Sequence, residues 1–114
     1  MNAALVYKWS GVVPGREAAG RQLMEDANRF WDKAVADGQV TDSAWYIGGG
    51  LGFQLAIVRG EMEALLALAA TPELQMLNMR AALINQDLQM GYLITGDAVD
   101  PMMDVWTEAA GQLT

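Results

Sequence analysis

The chain has 114 residues, a net charge of −7, no cysteine and no histidine, and 53% of its residues are hydrophobic. This composition predicts one folded domain and excludes intrinsic disorder, disulfide bonds, thiolate metal sites, and catalysis or haem ligation by histidine. The seven basic residues are scattered, which argues against binding to nucleic acid or an anionic membrane surface, since both need clustered lysine and arginine.

The first half of the chain predicts a strand followed by a long helix. Residues 3–9 are rich in strand-forming side chains, with Leu5, Tyr7 and Trp9 on one face. From residue 16 to residue 37 the period becomes helical. The helix carries an apolar stripe at every fourth position and ends at Gly38, a favourable left-handed cap; the stripe is Ala19, Leu23, Ala27, Trp31 and Val35.

The second half predicts a pair of strands, a two-part helix, a fourth strand and a final helix. The strands are residues 43–48, 52–60 and 87–96. The two-part helix covers residues 61–83 and restarts at Thr71, which is followed by a proline in the first helical position. Asp100 is the expected cap of the final helix, whose apolar stripe is Met102, Trp106, Ala109 and Leu113.

Four glycines, at positions 48, 49, 50 and 52, separate the second and third strands. A phosphate-binding glycine loop needs a third glycine where Phe53 or Leu55 stands, and it needs a helix to follow. The following segment is typical of a strand instead. We therefore predict a tight hairpin with positive-φ glycines, whose surplus glycines leave room for a ligand or another backbone.

The element order β-α-β-β-α-β predicts an α+β, ferredoxin-like domain over residues 1–114, with a four-stranded antiparallel sheet, two helices on one face and an added C-terminal helix. Its strands are apolar on both faces, so either the C-terminal helix or a second subunit must cover the open face. We expect a homodimer. No segment approaches the ~20 apolar residues of a membrane span, so we expect a cytoplasmic protein with no membrane partner.

On this element order, the doubly apolar strands and the length, the chain resembles the dimeric α/β-barrel group, in which two ferredoxin-like subunits pack sheet to sheet. The group includes cofactor-independent monooxygenases of aromatic polyketides, haem-degrading and haem-peroxidase-like enzymes, muconolactone isomerases and proteins without a known activity. Haem-binding members use a histidine ligand, which this chain lacks. The cofactor-free monooxygenases have a pocket between sheet and helices lined by Asn, Trp, Tyr and Arg, and that implies no cofactor here.

Five residues are candidates for binding a small apolar or aromatic molecule between sheet and helices: Tyr7, Trp9, Asn28, Trp45 and Asn85. The alternatives are a core or dimer-interface role for the aromatic residues, a rim position for Asn28 and a turn role for Asn85. Two other functions stay open, namely a cofactor-independent monooxygenase or isomerase and a structural or regulatory protein without a pocket. No metal site is expected.

Overall fold

The chain forms a four-stranded antiparallel sheet with helices on one face, and the computed structural model describes residues 1–113. In chain order the elements are β1 (Asn2–Trp9), β2 (Gly11–Val12), α1 (Glu17–Ala36), β3 (Asp42–Tyr46), β4 (Gln54–Glu61), α2 (Met62–Ala69), α3 (Pro72–Ile84), β5 (Asn85–Gln86), β6 (Gln89–Ile94), a 3₁₀ turn (Gly96–Ala98) and α4 (Val99–Gly111). The strand order in the sheet is β3-β4-β1-β6, the ferredoxin-like order that the sequence predicts.

The face of the sheet beneath the helices carries the core. In the central strand β1 the side chains of Leu5, Tyr7 and Trp9 are buried there, beside Val58 of β4. They pack with buried residues of α1, α2 and α3, among them Leu65, which is fully buried. The two-residue period of the strand therefore places every large β1 aromatic under the helices and not on the open side.

The core-facing stripe of α1 differs from the expected one at both ends. Leu23 and Trp31 are buried as predicted, and so is Ala34, which flanks the stripe, but Ala19 and Val35 are exposed. A strict four-residue spacing advances 400° per step, so the stripe rotates about 40° each time and leaves the core after two or three turns. The prediction was wrong at those two positions for that reason.

Two of the predicted helix ends are confirmed, whereas the predicted hairpin and the predicted cap of α4 are wrong. Gly38 ends α1 with φ 74°, and the hydroxyl of Thr71 accepts a hydrogen bond from the Leu74 amide at 3.3 Å to cap α3. The expected tight hairpin is wrong, because residues 47–53 form a longer loop in which Gly52 alone has positive φ. Asp100 does not cap α4, because the 3₁₀ turn runs directly into the helix and places Asp100 within the first turn.

The other face of the sheet, called here the open face, has large apolar side chains among a few charged ones and is not covered by any helix of the described chain. We define it by its large side chains: Val6, Tyr46, Leu55, Ile57 and Leu93. Tyr46 and Leu93 are 56% and 59% exposed. Helix α4 follows the edge strand β6 and buries none of its described residues, so the alternative in which it covers the sheet of its own chain is not met. Among residues 1–113 no helix has the length and hydropathy to span a membrane.

Candidate functional site

A cavity of about 680 Å³ lies between the sheet and helices α1 and α3. Its floor is the helix-facing side of β1, β3 and β4, and its roof is formed by α1 and α3. All five candidate residues of the sequence analysis line this cavity: Tyr7, Trp9, Asn28, Trp45 and Asn85. The aromatic residues among them lie on the helix side of the sheet, so they are not part of a sheet-to-sheet interface.

Small residues create this space. Ala27 of α1, Ala56 of β4 and Ala81 of α3 line the cavity, where larger side chains would fill it. Close packing leaves few voids larger than a water molecule in ordinary protein interiors. A volume of about 680 Å³ falls instead within the range of small-molecule sites, roughly 300–1,000 Å³.

Two tryptophans form one aromatic wall. The rings of Trp9 and Trp45 meet edge to face, with centroids 5.9 Å apart and planes at 86°. The indole N–H of Trp45 donates a 2.6 Å hydrogen bond to Oδ1 of Asn28 on α1. An indole nitrogen can only donate, so this contact orients the Asn28 amide with its oxygen toward the sheet.

A second polar pair lies along the same floor. The hydroxyl of Tyr7 donates a 2.7 Å hydrogen bond to Oδ1 of Asn78 on α3. Burial raises the pKa of Tyr7, because desolvation disfavours the phenolate, and the nearby Tyr92 adds to the rise while the bond to Asn78 opposes it. Tyr7 therefore stays protonated at neutral pH and acts as a hydrogen-bond donor, not as a base.

Both asparagines keep their amide nitrogens for other partners. Within residues 1–113, neither Nδ2 of Asn28 nor Nδ2 of Asn78 has a hydrogen bond to protein. No buried side-chain nitrogen or oxygen in the described chain lacks a partner, so both amide nitrogens are accessible. Two accessible N–H₂ groups, one on each roof helix, make the cavity a site for acceptor oxygens in an apolar surround.

The remaining polar groups lie at the margins. Asn85 is half-buried at the end of α3, and the neighbouring Asp87 has φ 55° and accepts a 2.7 Å hydrogen bond from Ser10. The turn lies at Asp87, whereas Asn85 itself belongs to the short strand β5, so the turn role for Asn85 is wrong. Arg21 and Glu25 form an exposed ion pair at the rim, 3.7 Å apart. Among the described residues no cluster of acidic side chains is arranged to hold a metal ion.

An ion pair joins the two roof helices outside the cavity. Nη1 of Arg80 on α3 lies 2.8 Å from Oδ2 of Asp26 on α1. Arg29 also contacts the Asp26 carboxylate. The hydrogen bond from Arg80, followed by one from Gln22, lowers the pKa of Asp26, and the charges of both arginines act in the same direction. This pair is a polar link between α1 and α3, the two helices that form the roof of the cavity.

Asn78 was missed by the sequence analysis, although the sequence contains a signal for it. It lies four residues after Leu74 and three before Ala81, both of which are buried core residues of α3. A polar side chain at such a position on a helix faces the interior. The two methionines of that helix, Met76 and Met79, are 60% and 65% exposed and do not line the cavity.

The fold and the cavity together define a ferredoxin-like α+β protein with an apolar site between its sheet and helices. No family model and no curated protein matches the chain. The chain is, however, similar in fold to several solved structures. Rv0793 from Mycobacterium tuberculosis is 14% identical with a TM-score of 0.67, over 85% of this chain and 97% of that one.

Two further structures extend the comparison. A Deinococcus radiodurans protein, provisionally named an antibiotic biosynthesis monooxygenase, is 13% identical with a TM-score of 0.63, over 85% of this chain and 94% of its own. A Bacteroides fragilis protein of unknown function, described as dimeric and ferredoxin-like, is 7% identical with a TM-score of 0.58, over 82% of this chain and 96% of its own. At these identities the likeness confirms the ferredoxin-like fold and says nothing further about this chain.

Proposed function

We propose that the protein binds a small, largely apolar aromatic molecule in the cavity between its sheet and helices. The observation that carries the proposal is the pairing of an aromatic wall with two accessible amide nitrogens. Trp9 and Trp45 offer ring edges and faces, while Asn28 and Asn78 offer donors from opposite roof helices. Pockets of this kind bind by apolar contact and select by a few placed polar groups.

The donors define the polarity of the ligand. Amide N–H₂ groups bind acceptors, so the ligand carries a carbonyl or a similar oxygen on its ring system. A neutral ligand fits better than an anion, because the chain has a net charge of −7 and its rim arginine, Arg21, is paired with Glu25. A neutral aromatic ketone satisfies both conditions.

A matched pair of probes tests this chemistry. 1-Tetralone and tetralin share one bicyclic skeleton, and only the ketone has an acceptor oxygen. We expect 1-tetralone to bind at least about tenfold more tightly by calorimetry, in line with one added buried hydrogen bond of about 1.5 kcal/mol. It should also shift the indole ¹H–¹⁵N resonance of Trp45. Equal affinity for the two probes would contradict the role of the asparagines.

A cavity-filling variant localises the binding. Ala27→Phe places a ring in the cavity, whereas Ala18→Phe makes the same change on the exposed side of the same helix. We expect loss of 1-tetralone binding in the first variant and unchanged binding in the second. Binding that survives Ala27→Phe would locate the ligand elsewhere and overturn the proposal.

Catalysis by the same site is the second candidate. It is favoured by the names of two neighbours, from Deinococcus radiodurans and Chloroflexus aurantiacus, which are provisionally called antibiotic biosynthesis monooxygenases. Donors from Asn28 and Asn78 would stabilise charge that develops on a substrate oxygen during enolisation. An activated ring methylene would then react with O₂ to give a carbonyl and water. Anthrone tests this directly, since its oxidation to anthraquinone consumes one O₂ and releases one water.

The expected outcome for an oxygenase is anthrone oxidation above the uncatalysed rate, lost in the Ala27→Phe variant and kept in Ala18→Phe. If 1-tetralone binds but anthrone oxidation does not exceed the protein-free rate, the site is a binding site without this activity. An isomerase would show no O₂ uptake at all.

We further propose that two copies pair through the open face. Val6, Leu55 and Ile57 are half-buried and Leu93 is largely exposed, a pattern typical of a surface with a missing partner. Gly91 lies on this face opposite Val6, and a Cβ added there meets no atom within 4 Å. A glycine in a strand commonly marks the close approach of another chain.

Gly91→Leu tests this pairing by light scattering across a concentration series. The φ of Gly91 lies outside the left-handed region, so the monomer tolerates the change while a sheet-to-sheet dimer loses close contact. We expect a dimer for the parent chain and a weaker dimer for the variant. A parent chain that stays monomeric at all concentrations would overturn the pairing and leave the cavity proposal untouched.

A further inference from the structure

Helix α4 is amphipathic, and no described residue on its apolar side is buried in its own chain. The apolar side is a stripe that we call the α4 stripe: Val99, Met102, Met103, Trp106 and, in the turn directly after the helix, Leu113. Val99, Met102, Trp106 and Leu113 follow one another at intervals of three, four and seven residues, and Met103 lies beside Met102. Asp100, Asp104 and Glu108 occupy the opposite side. Trp106, at the centre of the stripe, is 65% exposed, and no described residue of α4 is buried.

The helix is held away from the body of the chain. The Thr95 amide donates a 3.0 Å hydrogen bond to the backbone carbonyl of Asn2. A Cβ at Gly96 would lie 3.1 Å from Nδ2 of the Asn2 side chain. These contacts define the direction in which the chain leaves β6. The radius of gyration is 16.3 Å, against about 13 Å for a compact chain of this length. A helix of 13 residues, about 20 Å long, accounts for that extension.

Helix α4 is an addition to the ferredoxin-like core. The core consists of the four-stranded sheet and helices α1 to α3, and none of the described side chains of α4 is buried against it. The three neighbours described above are covered over 94–97% of their lengths but cover only 82–85% of this chain, so this chain has residues beyond the shared fold.

The base of α4 adjoins the open face. Met102 and Val105 border a concavity with Asn2 and Glu61 at the end of the sheet, and these two strand residues belong to the open face by register. A second copy seated on the open face would lie directly beside the α4 stripe. The acidic side of α4 would meanwhile point to solvent, where it does not oppose a second acidic chain.

We infer that α4 is an arm that packs its apolar stripe onto a second copy of this chain, in a reciprocal exchange. The inference rests on the proposed pairing through the open face and extends it. It assigns to Trp106 the role of anchor, as expected for a large aromatic at the centre of an interface. An acidic polar side makes α4 unlike the lysine- and arginine-rich helices that lie on membranes.

The test compares Trp106→Asp with Thr107→Asp in the full chain. Thr107 lies outside the stripe, and its hydroxyl bonds only to the Met103 carbonyl one turn earlier, at 2.8 Å. Analytical ultracentrifugation should show a dimer dissociation constant at least about tenfold higher for Trp106→Asp and near the parent value for Thr107→Asp. Thermal unfolding at concentrations where all three proteins are monomeric should give the same Tm for the parent chain and both variants, because Trp106 is exposed in the monomer.

Iodide quenching supplies the second readout. Trp106 should be accessible to iodide at low concentration and protected when the dimer forms, and the protected component should be missing in Trp106→Phe. A dimer that is equally tight in Trp106→Asp would overturn the arm and leave the open-face pairing standing. Protection of Trp106 that does not depend on concentration would place α4 on its own chain, and protection gained only with phosphatidylcholine vesicles would make the partner a membrane. Either result overturns the inference.

Discussion

The hydrogen bond between Tyr7 and Asn78 gives the sharpest test of the cavity geometry. Tyr7 is 8% exposed, whereas Asn78 is half-buried beside the cavity. Tyr7→Phe removes a bond worth about 1 kcal/mol, and the Asn78 amide can turn to solvent in the cavity. Asn78→Leu instead leaves a buried phenol without a partner, which costs about 2 kcal/mol.

The double variant Tyr7→Phe/Asn78→Leu should be more stable than the two single losses imply, because it leaves no polar group unpaired. We expect a coupling energy of about 1–2 kcal/mol between the two sites. For a chain of this size each kcal/mol moves Tm by about 4 °C. Urea unfolding followed by far-UV circular dichroism, at one protein concentration, measures all four proteins. Additive losses would refute the reasoning, because they would mean that the two side chains do not interact.

The burial of Tyr7 makes stability depend on pH. Since the pKa of Tyr7 is raised in the folded chain, the unfolded chain releases the phenolic proton first, and this contribution to stability is lost as pH rises above the ordinary tyrosine value of about 10. Tyr7→Phe should therefore flatten the alkaline fall of Tm relative to the parent chain. An unchanged alkaline slope would show that Tyr7 is ionised with an ordinary pKa.

Two more predictions concern the cavity roof and the glycine loop. Asp26→Asn should lower Tm at neutral pH; because the pKa of Asp26 is lowered in the folded chain, the difference from the parent should persist above about pH 4 and vanish as pH falls below it. A difference that persists at pH 2 would mean that the charge plays no part. Gly52→Ala should destabilise by about 1 kcal/mol because its φ is +75°, while Gly49→Ala should be neutral or slightly stabilising, since its φ is ordinary and its Cβ meets no atom. Equal losses in urea unfolding would contradict this assignment.

The fold could be predicted because its signals are local and agree with one another. Alternation along residues 3–9, the helical period after residue 16 and the proline that follows Thr71 each fix one element, and their order leaves one sheet topology. The prediction of buried positions failed where a small angular error per helical turn adds up along the helix. The α1 stripe drifted away from Ala19 and Val35 because a fourfold spacing is not the helical repeat.

The glycine loop shows a different limit. Four glycines within residues 48–52 suggest that the backbone needs unusual conformations, but only one of them has positive φ, and at the others an added Cβ would meet nothing. Glycine permits both a positive φ and a close approach of another group, so its presence alone does not show which of the two a loop requires. The sequence therefore located the connection between β3 and β4 but not its length or shape.

The residue types of the five candidates predict their place at a pocket but do not explain why the pocket exists. Their side-chain types suggested a pocket, but the pocket exists because alanines face large aromatics across the sheet–helix gap, a pairing that only the packed structure reveals. Asn78 escaped notice because its partner, Tyr7, is 71 residues away in sequence. Long-range polar pairs of this kind have no local signature.

A cavity of about 680 Å³ can be a packing defect or a working site, and one variant separates the two. Filling a void with a ring adds apolar contacts, so Ala27→Phe should raise Tm in either case. If the cavity is only a defect, the gain in stability has no cost. If the cavity binds a ligand, the same variant should lose 1-tetralone binding as it gains stability, while Ala18→Phe changes neither. Stabilising substitutions are commonly absent from natural proteins where they would impair function. A higher Tm together with lost 1-tetralone binding would therefore explain why this core is not filled.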